Sequence, residues 1–335
     1  MKVKLKPVSE QVIVITGASS GIGLSTARLA AKEGARLVLA ARSEDALRQL
    51  VEELTAQGAQ AVSVAADVGR EDDVARIARA ALDSYGGFDT WVNNAGVGLY
   101  GRLEQISVED MRRLFDTNFW GLVYGSREAL KTLRARGGAL INVGSVVSDR
   151  SLPLQGIYAS SKHAVQGFTD ALRMELEDEE APVSVTLIKP GPIDTPFPMR
   201  ARSYLPTEPK HVPPVYAPET VARAILHAAS VPTRDLFVGG GGRGIAALGN
   251  LAPRAADRAM EAAVIPGTMS DRPPRPAGTD NLYRPTGQLA ERGDYPGMVR
   301  GTSAFTEASM NSRWLGVGAA VLGVGLAALW RSRRD

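Results

Sequence analysis

Short apolar runs rich in β-branched residues alternate with segments of helical periodicity over the first 240 residues. The apolar runs read as buried strands, and they span 11–16, 35–40, 61–66, 88–94, 138–145, 182–190 and 234–240. Strands that alternate with helices pair in parallel through helical crossovers. The pattern therefore predicts an α/β fold with a doubly wound parallel sheet, formed by a single domain over 8–240.

The regular alternation ends near Gly239, and the composition changes there. Residues 241–312 are rich in proline and glycine, which predicts an extension or linker that contains one or two short amphipathic helices near its start. Residues 314–330 then form an uncharged apolar run with tryptophan at both ends, flanked by arginines. Such a run is just long enough to span a bilayer, so 313–335 is expected to be a membrane anchor.

The apolar run also carries a stripe of small residues, Ala319, Gly323 and Ala327, that would let two such helices pack closely. The alternative is a buried C-terminal helix in a dimer contact. If the run is an anchor, the protein is membrane-associated with its catalytic domain in the cytoplasm. The orientation of the tail stays open, because the terminal arginines favour the same side as the domain.

Overall composition excludes several classes of protein. The formal net charge of the 335 residues is +3 and the charges are dispersed, which argues against a nucleic-acid surface. There is no cysteine, so disulfides and thiolate ligands are excluded. The N-terminus has no apolar core of signal-peptide length, and no cluster of His, Asp and Glu suggests a metal.

The first predicted strand leads into a glycine-rich turn and a helix. Gly17, Gly21 and Gly23 have the spacing G-x-x-x-G-x-G. Glycines let a phosphate approach the backbone, and the helix N-terminus beyond them offers free amides to a pyrophosphate. This arrangement predicts a dinucleotide site. After the second strand come Ala41 and Arg42 rather than an acid, which favours NADP(H) over NAD(H).

Tyr158 and Lys162 lie four residues apart, so on a helix both project from one face. By itself this spacing is weak evidence, but other motifs accompany it. They are TGASSGIG at 16–23, NNAG at 93–96, Asn118 in DTNFWG, Ser145 in INVGS, YASSK at 158–162 and PGPIDT at 190–195. In their order and spacing, the chain over residues 8–240 resembles the short-chain dehydrogenase/reductase family.

The resemblance implies a Rossmann-type sheet and assigns catalytic roles to Ser145, Tyr158, Lys162 and Asn118. Tyr158 would exchange a proton with the substrate oxygen while the nicotinamide exchanges a hydride, and Ser145 would orient that oxygen. Lys162 and an oxidised nicotinamide ring are both expected to lower the pKa of the phenol. Asn118 would hold a water that links Lys162 to solvent, or would simply bond backbone within a helix.

The resemblance also implies cofactor contacts. Asp67 would meet the adenine amino group, although a helix N-cap is the alternative; Asn94 would lie near the adenosine ribose, and Ile193 and Thr195 near the carboxamide. Ser20 stands where some NADP-preferring members carry a basic residue, so the NADP(H) prediction depends on Arg42. The full set of expected contacts is Thr16, Gly17, Ser19, Ser20, Gly21, Ile22, Gly23, Arg42, Asp67, Val68, Asn94, Ala95, Gly96, Tyr158, Lys162, Pro190, Gly191, Ile193 and Thr195.

Residues 196–218 occupy the place of the family's mobile substrate cover, and five of them could close over an apolar substrate: Phe197, Met199, Tyr204, Leu205 and Tyr216. The alternative is a surface loop without substrate contact. His163 is expected to be structural. The function predicted is NADP(H)-linked interconversion of a carbonyl and a secondary alcohol on a small, lipophilic molecule, in a homo-oligomer. The alternative is a catalytically idle NADP-binding sensor or membrane-tethered scaffold.

Overall fold

A computed structural model describes residues 3–311 apart from 242, 243, 245–247, 250, 277 and 287. The predicted anchor at 313–335 lies outside these residues. Across the stretch that the model does describe, no helix combines the length and the apolar character needed to cross a bilayer.

The centre of the molecule is a sheet of seven parallel strands in the order β10-β7-β6-β4-β1-β2-β3. All seven fall at the predicted positions, which confirms the doubly wound fold. The strands of the sheet are β1 Val12–Thr16, β2 Arg36–Ala41, β3 Ala61–Ala65, β4 Thr90–Asn93, β6 Gly138–Val143, β7 Val183–Pro190 and β10 Asp235–Val238. Two short pairs lie outside it, β5 Leu99–Tyr100 with β8 Arg202–Ser203 and β9 Val215–Tyr216 with β11 Val299–Arg300.

Helices cover both faces of this sheet. They are α1 Gly21–Lys32, α2 Glu44–Ala56, α3 Glu71–Tyr85, α4 Val108–Phe115, α5 Gly121–Arg136, α6 Gly156–Asp178, α7 Phe197–Arg200, α8 Pro218–Ser230, α9 Pro253–Thr268 and α10 Ala304–Met310. Alternate residues of β1 point to opposite faces, so Ile13 packs into one apolar core with α1, α2 and α8, and Val14 into the other with α3, α5 and α6.

The position of the site follows from the strand order. Strand β1 lies between β2 and β4. Helix α2, which follows β2, packs on one face of the sheet, and helix α5, which follows β4, packs on the other. A crevice opens outside the carboxyl ends of the strands at such a switch point, and doubly wound sheets bind ligands there.

The extension folds back onto the domain. Helix α9 packs its Ile265 and the following Met269 against Leu154, Phe197 and Leu205. At the far edge of the sheet, the Thr306 hydroxyl of α10 donates to the Phe237 carbonyl at 3.1 Å and accepts from the Gly239 amide at 3.1 Å. Where residues 241–311 are described, they thus form a packed extension rather than a free linker.

Two buried carboxylates connect the extension to the domain. Asp110 on α4 is 4% exposed and accepts the hydroxyls of Tyr204 and Tyr283, both at 2.8 Å, and the Arg202 guanidinium at 3.1 Å. Its carboxylate therefore joins the end of β8, in the predicted substrate cover, to the extension at residue 283.

The second carboxylate, Glu208, is also 4% exposed and lies in the predicted substrate cover. It forms ion pairs with Arg272 at 3.1 Å and with Arg275, both in the extension. The backbone reinforces the attachment, since Pro209 and Met269 form an antiparallel bridge.

Candidate active site

The glycine turn brings the backbone close to itself. Gly17 has φ +69°, a left-handed conformation that favours glycine. A Cβ on Gly23 would stand 2.2 Å from the Gly17 carbonyl oxygen, so a side chain cannot be accommodated there. Helix α1 begins at Gly21 with Ser20 at its N-cap. A turn this tight, followed by a helix N-terminus, suits the close approach of a pyrophosphate.

Thr16 fixes the neighbouring strand end behind the turn. Its hydroxyl accepts the amides of Asn94 at 3.0 Å and Ala95 at 3.2 Å, and donates to the Val92 carbonyl at 3.2 Å. The Asn94 carboxamide donates to the Thr16 carbonyl at 2.9 Å. Thr16 is thus a support of the turn and does not line the cleft, and Gly23 stands within α1 behind it.

A cleft of about 180 Å³, which we call the nucleotide cleft, lies over the turn. Most of the predicted cofactor contacts line it: Gly17, Ser19, Ser20, Gly21, Ile22, Arg42, Asp67, Val68, Asn94, Ala95, Gly96 and Thr195. Four residues of the extension, which sequence reasoning missed, line it too: Asn281, Pro285, Thr286 and Gln288. The glycine turn allows a phosphate to approach the backbone, while the Gly21 amide at the start of α1 is bonded to the Ala290 carbonyl of the extension at 2.9 Å.

Arg42 lines this cleft, and its guanidinium is hydrogen bonded to the extension. Its guanidinium donates to the Leu282 carbonyl at 3.2 Å and to the Asn281 carbonyl. Burial lowers the pKa of Arg42, with the nearby Asp67 acting in the opposite direction, but a guanidinium stays charged in proteins. Because it carries five N–H donors, the side chain keeps donors for an anion.

Asp67 was expected to meet adenine or to cap a helix. The carboxylate pairs with Arg113 at 2.5 Å and accepts the Gly69 amide at 3.0 Å, while the residue lines the cleft. Helix α3 begins at Glu71 with Arg70 at its N-cap, so the helix-cap alternative is wrong. Asp67 lies in the short loop between β3 and α3, and its bond to the Gly69 amide stabilises that loop.

A second cavity of about 160 Å³, which we call the substrate cavity, contains Ser145 and Tyr158. The Ser145 hydroxyl accepts the Val147 amide at 3.2 Å, as the N-cap of the 3-10 turn Val146–Ser148, and lies 3.5 Å from the Pro190 carbonyl. The cap fixes this hydroxyl beside the Tyr158 phenol. Pro190, Gly191 and Ile193 line the same cavity.

Burial opposes the acidification of Tyr158 that is expected from Lys162 and a nicotinamide ring. Burial raises the pKa of Tyr158 to about 12, and the Ser145 hydroxyl lowers it only in part. Burial also lowers the pKa of Lys162 to about 8. Lys162 donates to the Val143 carbonyl at 2.9 Å and its Nζ lies 5.8 Å from the Tyr158 ring centroid. Desolvation of both groups outweighs their attraction at this separation.

Asn118 lies in a π-helical turn, Asp116–Trp120, between α4 and α5. Its carboxamide accepts the Val97 amide at 2.8 Å, donates to the Val97 carbonyl at 3.0 Å and donates to the Ser161 hydroxyl at 3.3 Å. Such turns often accompany functional sites. Here Asn118 ties the loop after β4 to the α6 helix that carries Tyr158 and Lys162.

Several polar groups of the substrate cavity were missed by sequence reasoning. Tyr100 and Gln155 line it, and so does His211. Burial lowers the pKa of His211 to about 4, so its ring is neutral at pH 7. No local motif marks these positions, because strand β5, the loop before α6 and the loop after β8 bring them together. His163, by contrast, has its Nδ1 2.9 Å from the Ala159 carbonyl of its own helix.

The predicted substrate cover reaches the cavity through one of its five named residues. Phe197 lines the substrate cavity, and its ring centroid lies 5.3 Å from that of Tyr158. Tyr204 is engaged with Asp110, Leu205 is buried, and Tyr216 lies under Gly239. Met199 lines a different pocket beside the extension. None of these four lines the substrate cavity, and their role over a substrate stays a prediction.

The nucleotide cleft and the substrate cavity meet at shared residues. Ile22, Thr195 and Phe197 line both. A dinucleotide that lies along the cleft with its adenosine near Arg42 would place its nicotinamide at this junction, next to Ser145 and Tyr158. No group of His, Asp or Glu side chains suited to holding a metal occurs among the residues with assigned structure. The arrangement suits redox chemistry that depends on an organic cofactor and a phenol.

A family model described as short chain dehydrogenase matches residues 11–205. The chain is also 52% identical over 311 residues to the protein named "Uncharacterized oxidoreductase YxnA" from Bacillus subtilis (strain 168), covering 92% of this chain and 87% of that one. A match of that coverage cannot end near residue 240, so the similarity includes most of the extension.

Two solved structures are similar to this one. An alcohol dehydrogenase from the archaeon Thermococcus sibiricus, complexed with 5-hydroxy-NADP, has a TM-score of 0.61 and 30% identity over 68% of this chain and 95% of that chain. A short chain dehydrogenase/reductase from Burkholderia phymatum, in complex with NAD, has a TM-score of 0.63 and 27% identity over 79% of this chain and 98% of that chain.

Proposed function

The chain belongs to the short-chain dehydrogenase/reductase family, and from that premise we propose that it interconverts a carbonyl and a secondary alcohol with NADP(H). The observation that carries the proposal is the junction of the two cavities, where Ile22 and Thr195 line both and Tyr158 and Ser145 line the substrate side. Bound nicotinamide nucleotide would supply or accept the hydride there.

The chain's own residues handle the proton. With a pKa raised to about 12, the Tyr158 phenol is protonated at neutral pH and can donate its proton to a carbonyl oxygen during reduction. The Ser145 hydroxyl, held by the Val147 amide at 3.2 Å, orients the same oxygen. In oxidation Tyr158 must first lose its proton, and the positive charge of Lys162 favours that loss. Asn118 keeps α6, and with it both side chains, in position.

We propose NADP(H) as the cofactor because Arg42 carries a positive charge that a 2′-phosphate would meet. The guanidinium lines the nucleotide cleft and its two contacts with backbone carbonyls orient it. A charged, planar donor group binds phosphate more strongly than it binds a ribose hydroxyl. The similar structures hold 5-hydroxy-NADP in one case and NAD in the other, so the choice depends on this chain's own residues.

The proposed substrate is lipophilic. Apolar side chains form most of the wall of the substrate cavity, among them Val146, Val147, Leu152, Val212 and Val264. An apolar wall excludes water from the reacting centre and gains binding energy from apolar surface. A few polar groups, such as the neutral His211, would then select among lipophilic carbonyl compounds.

A panel of ketones, aldehydes and lipid alcohols, followed by NADPH absorbance at 340 nm, tests the proposal. We expect turnover of at least one lipophilic pair, faster with NADP(H) than with NAD(H). Nucleotide binding without turnover of any member of the panel would favour the idle sensor or scaffold instead.

Membrane attachment through 313–335 stays a prediction from the sequence. We expect the full chain to pellet with membranes and to resist a carbonate wash, while a chain that ends at Asn311 stays in the supernatant. Full-length protein found in the supernatant without detergent would contradict the anchor and favour a buried C-terminal helix.

A further inference from the structure

The extension crosses the glycine turn. We call the described residues of 281–293, which leave out 287, the cleft segment. At one end of it, the Gly21 amide donates to the Ala290 carbonyl at 2.9 Å, and Ser20 pairs with Ala290 as an isolated parallel bridge. Arg28 on α1 adds an ion pair to Glu291 at 2.7 Å. The backbone of the cleft segment is therefore hydrogen bonded to the turn that would hold a pyrophosphate.

The other end of the cleft segment lies over the adenosine end of the cleft. The Leu282 carbonyl accepts from Arg42 at 3.2 Å and from Arg113 Nε at 3.1 Å. The Leu282 side chain is fully buried, in a cluster with Val97 and Leu114. These contacts fix the position of the neighbouring residue, Asn281. Its backbone amide donates to the Arg200 carbonyl at 2.8 Å.

The backbone of Asn281 is held in place, and the oxygen of its side chain is unused. Asn281 lines the nucleotide cleft together with Arg42 and Asp67. Its Oδ1 is buried, and no hydrogen-bond partner for it occurs in the described part of the chain. An unsatisfied buried acceptor is costly, and most such groups in folded proteins have a partner. A carboxamide oxygen held in a ligand cleft without a partner indicates that the ligand supplies the donor.

We propose that Asn281 is a nucleotide-binding residue whose carboxamide oxygen accepts the 3′-hydroxyl of the adenosine ribose, which NADPH and NADH share. The inference deepens the proposed function and rests on it, because it takes the ligand to be a nicotinamide dinucleotide. The ribose is the part of that ligand that lies beside Arg42, and Arg42 is bonded to the Asn281 carbonyl. The extension is then a second wall of the nucleotide site, formed by residues outside the 11–205 match to the family model.

Asn281→Ala tests this assignment directly. The substitution removes the carboxamide and keeps the backbone carbonyl that holds Arg42. We expect the dissociation constants of NADPH and NADH, measured by calorimetry, to rise about tenfold, the effect of one lost hydrogen bond in a buried site. Asn311→Ala is the matched control, since that carboxamide donates to the Glu307 carbonyl at 3.0 Å at the end of α10.

A second variant and a second probe identify the atom. Asn281→Asp keeps an acceptor oxygen and adds a negative charge, so it should bind NADH nearly as well as the wild type and NADPH more weakly. With ADP and 3′-deoxy-ADP as probes, wild type should prefer ADP, and Asn281→Ala should lose that preference.

The outcomes separate the two levels of the argument. If wild type binds both nucleotides and Asn281→Ala binds them equally well, or loses no more than Asn311→Ala, the assignment of Asn281 is overturned and the proposed function stands. If wild type binds neither NADPH nor NADH, the proposed function and the assignment are both overturned.

Discussion

The two walls of the nucleotide cleft are stabilised in different ways. The wall from the sheet domain rests on two continuous apolar cores, in which residues such as Ile13, Leu24 and Leu39 have no exposed surface. The cleft segment buries Leu282 fully and packs Leu289 partly against one of these cores, and hydrogen bonds and ion pairs supply its other contacts. One cleft can therefore combine a wall that is fixed by extensive packing with a wall that relies more on hydrogen bonds and ion pairs.

The difference suggests a division of labour. Substitutions in the sheet domain that touch the junction of the cavities should change the chemical step. Substitutions that weaken the attachment of the extension should change binding and stability and leave the chemical step to the sheet domain.

The largest effect is expected from Tyr158→Phe. The variant loses the proton donor and keeps the ring that packs 5.3 Å from Phe197, so kcat should fall at least about a hundredfold while NADPH affinity stays nearly constant. Steady-state kinetics and calorimetry measure the two quantities separately. Near-normal kcat in this variant would remove Tyr158 from the mechanism.

Arg42→Ala tests the contact between the two walls, because Arg42 belongs to the sheet domain and is hydrogen bonded to the extension. Losing a contact to phosphate should raise the dissociation constant of NADPH about tenfold to a hundredfold. NADH should change little. Tryptophan fluorescence titrations with both nucleotides distinguish the roles, since equal weakening would mean that Arg42 acts only by holding the extension.

The pair Ala41→Asp with Arg42→Ala sharpens the same point. An acid at position 41 would accept the ribose hydroxyls and repel the 2′-phosphate, so the preference should invert toward NADH. A double variant that still prefers NADPH would show that phosphate selection lies elsewhere in the cleft.

Glu208→Gln tests the attachment of the extension to the domain. The variant keeps the shape of the side chain but removes the charge that attracts Arg272 and Arg275, both of which are partly exposed. We expect a loss of about 1–2 kcal/mol in the free energy of unfolding, measured in urea, with kcat nearly unchanged. Glu307→Gln is the matched control, because its pair with Arg223 at 3.4 Å is exposed and should contribute little. An equal change in both variants would argue against Glu208 as an anchor.

The smallest effect concerns pH and the sheet domain. The pKa of Lys162 is lowered to about 8 and that of Tyr158 raised to about 12, so on raising the pH the ammonium is lost first. Tyr158 becomes a phenolate when it donates its proton in reduction, and the charged Lys162 stabilises that phenolate, so reductive kcat should fall about fivefold between pH 8 and 9. Tyr158 remains protonated over that range. A rate that stays level to pH 10 would contradict the role of Lys162.

The sheet was predictable because its signals are local. Each strand is a short apolar run, and Gly17 and Gly23 mark the turn that only glycine can form. Ser145 and Tyr158 stand in recognisable motifs, and the fold brings them to one cavity.

The extension was not predictable in the same way, since its contacts join residues that are far apart in sequence. Asp110 and Tyr283 are separated by 173 positions, and nothing in the sequence around either indicates the other. The effect of burial on the pKa of Tyr158 was hidden for a related reason: the motif shows that Lys162 is near, but the burial of both groups depends on the whole fold.

The attachment of α10 at the edge of the sheet has a consequence for self-association. Strand β10 pairs with β7 on one side, and an edge strand is a template for pairing with another chain. Thr306 occupies the Phe237 carbonyl and the Gly239 amide at that edge. The same short helix that ends the described chain thus shields the sheet from strand addition, so that loss of α10 would expose an aggregation-prone edge.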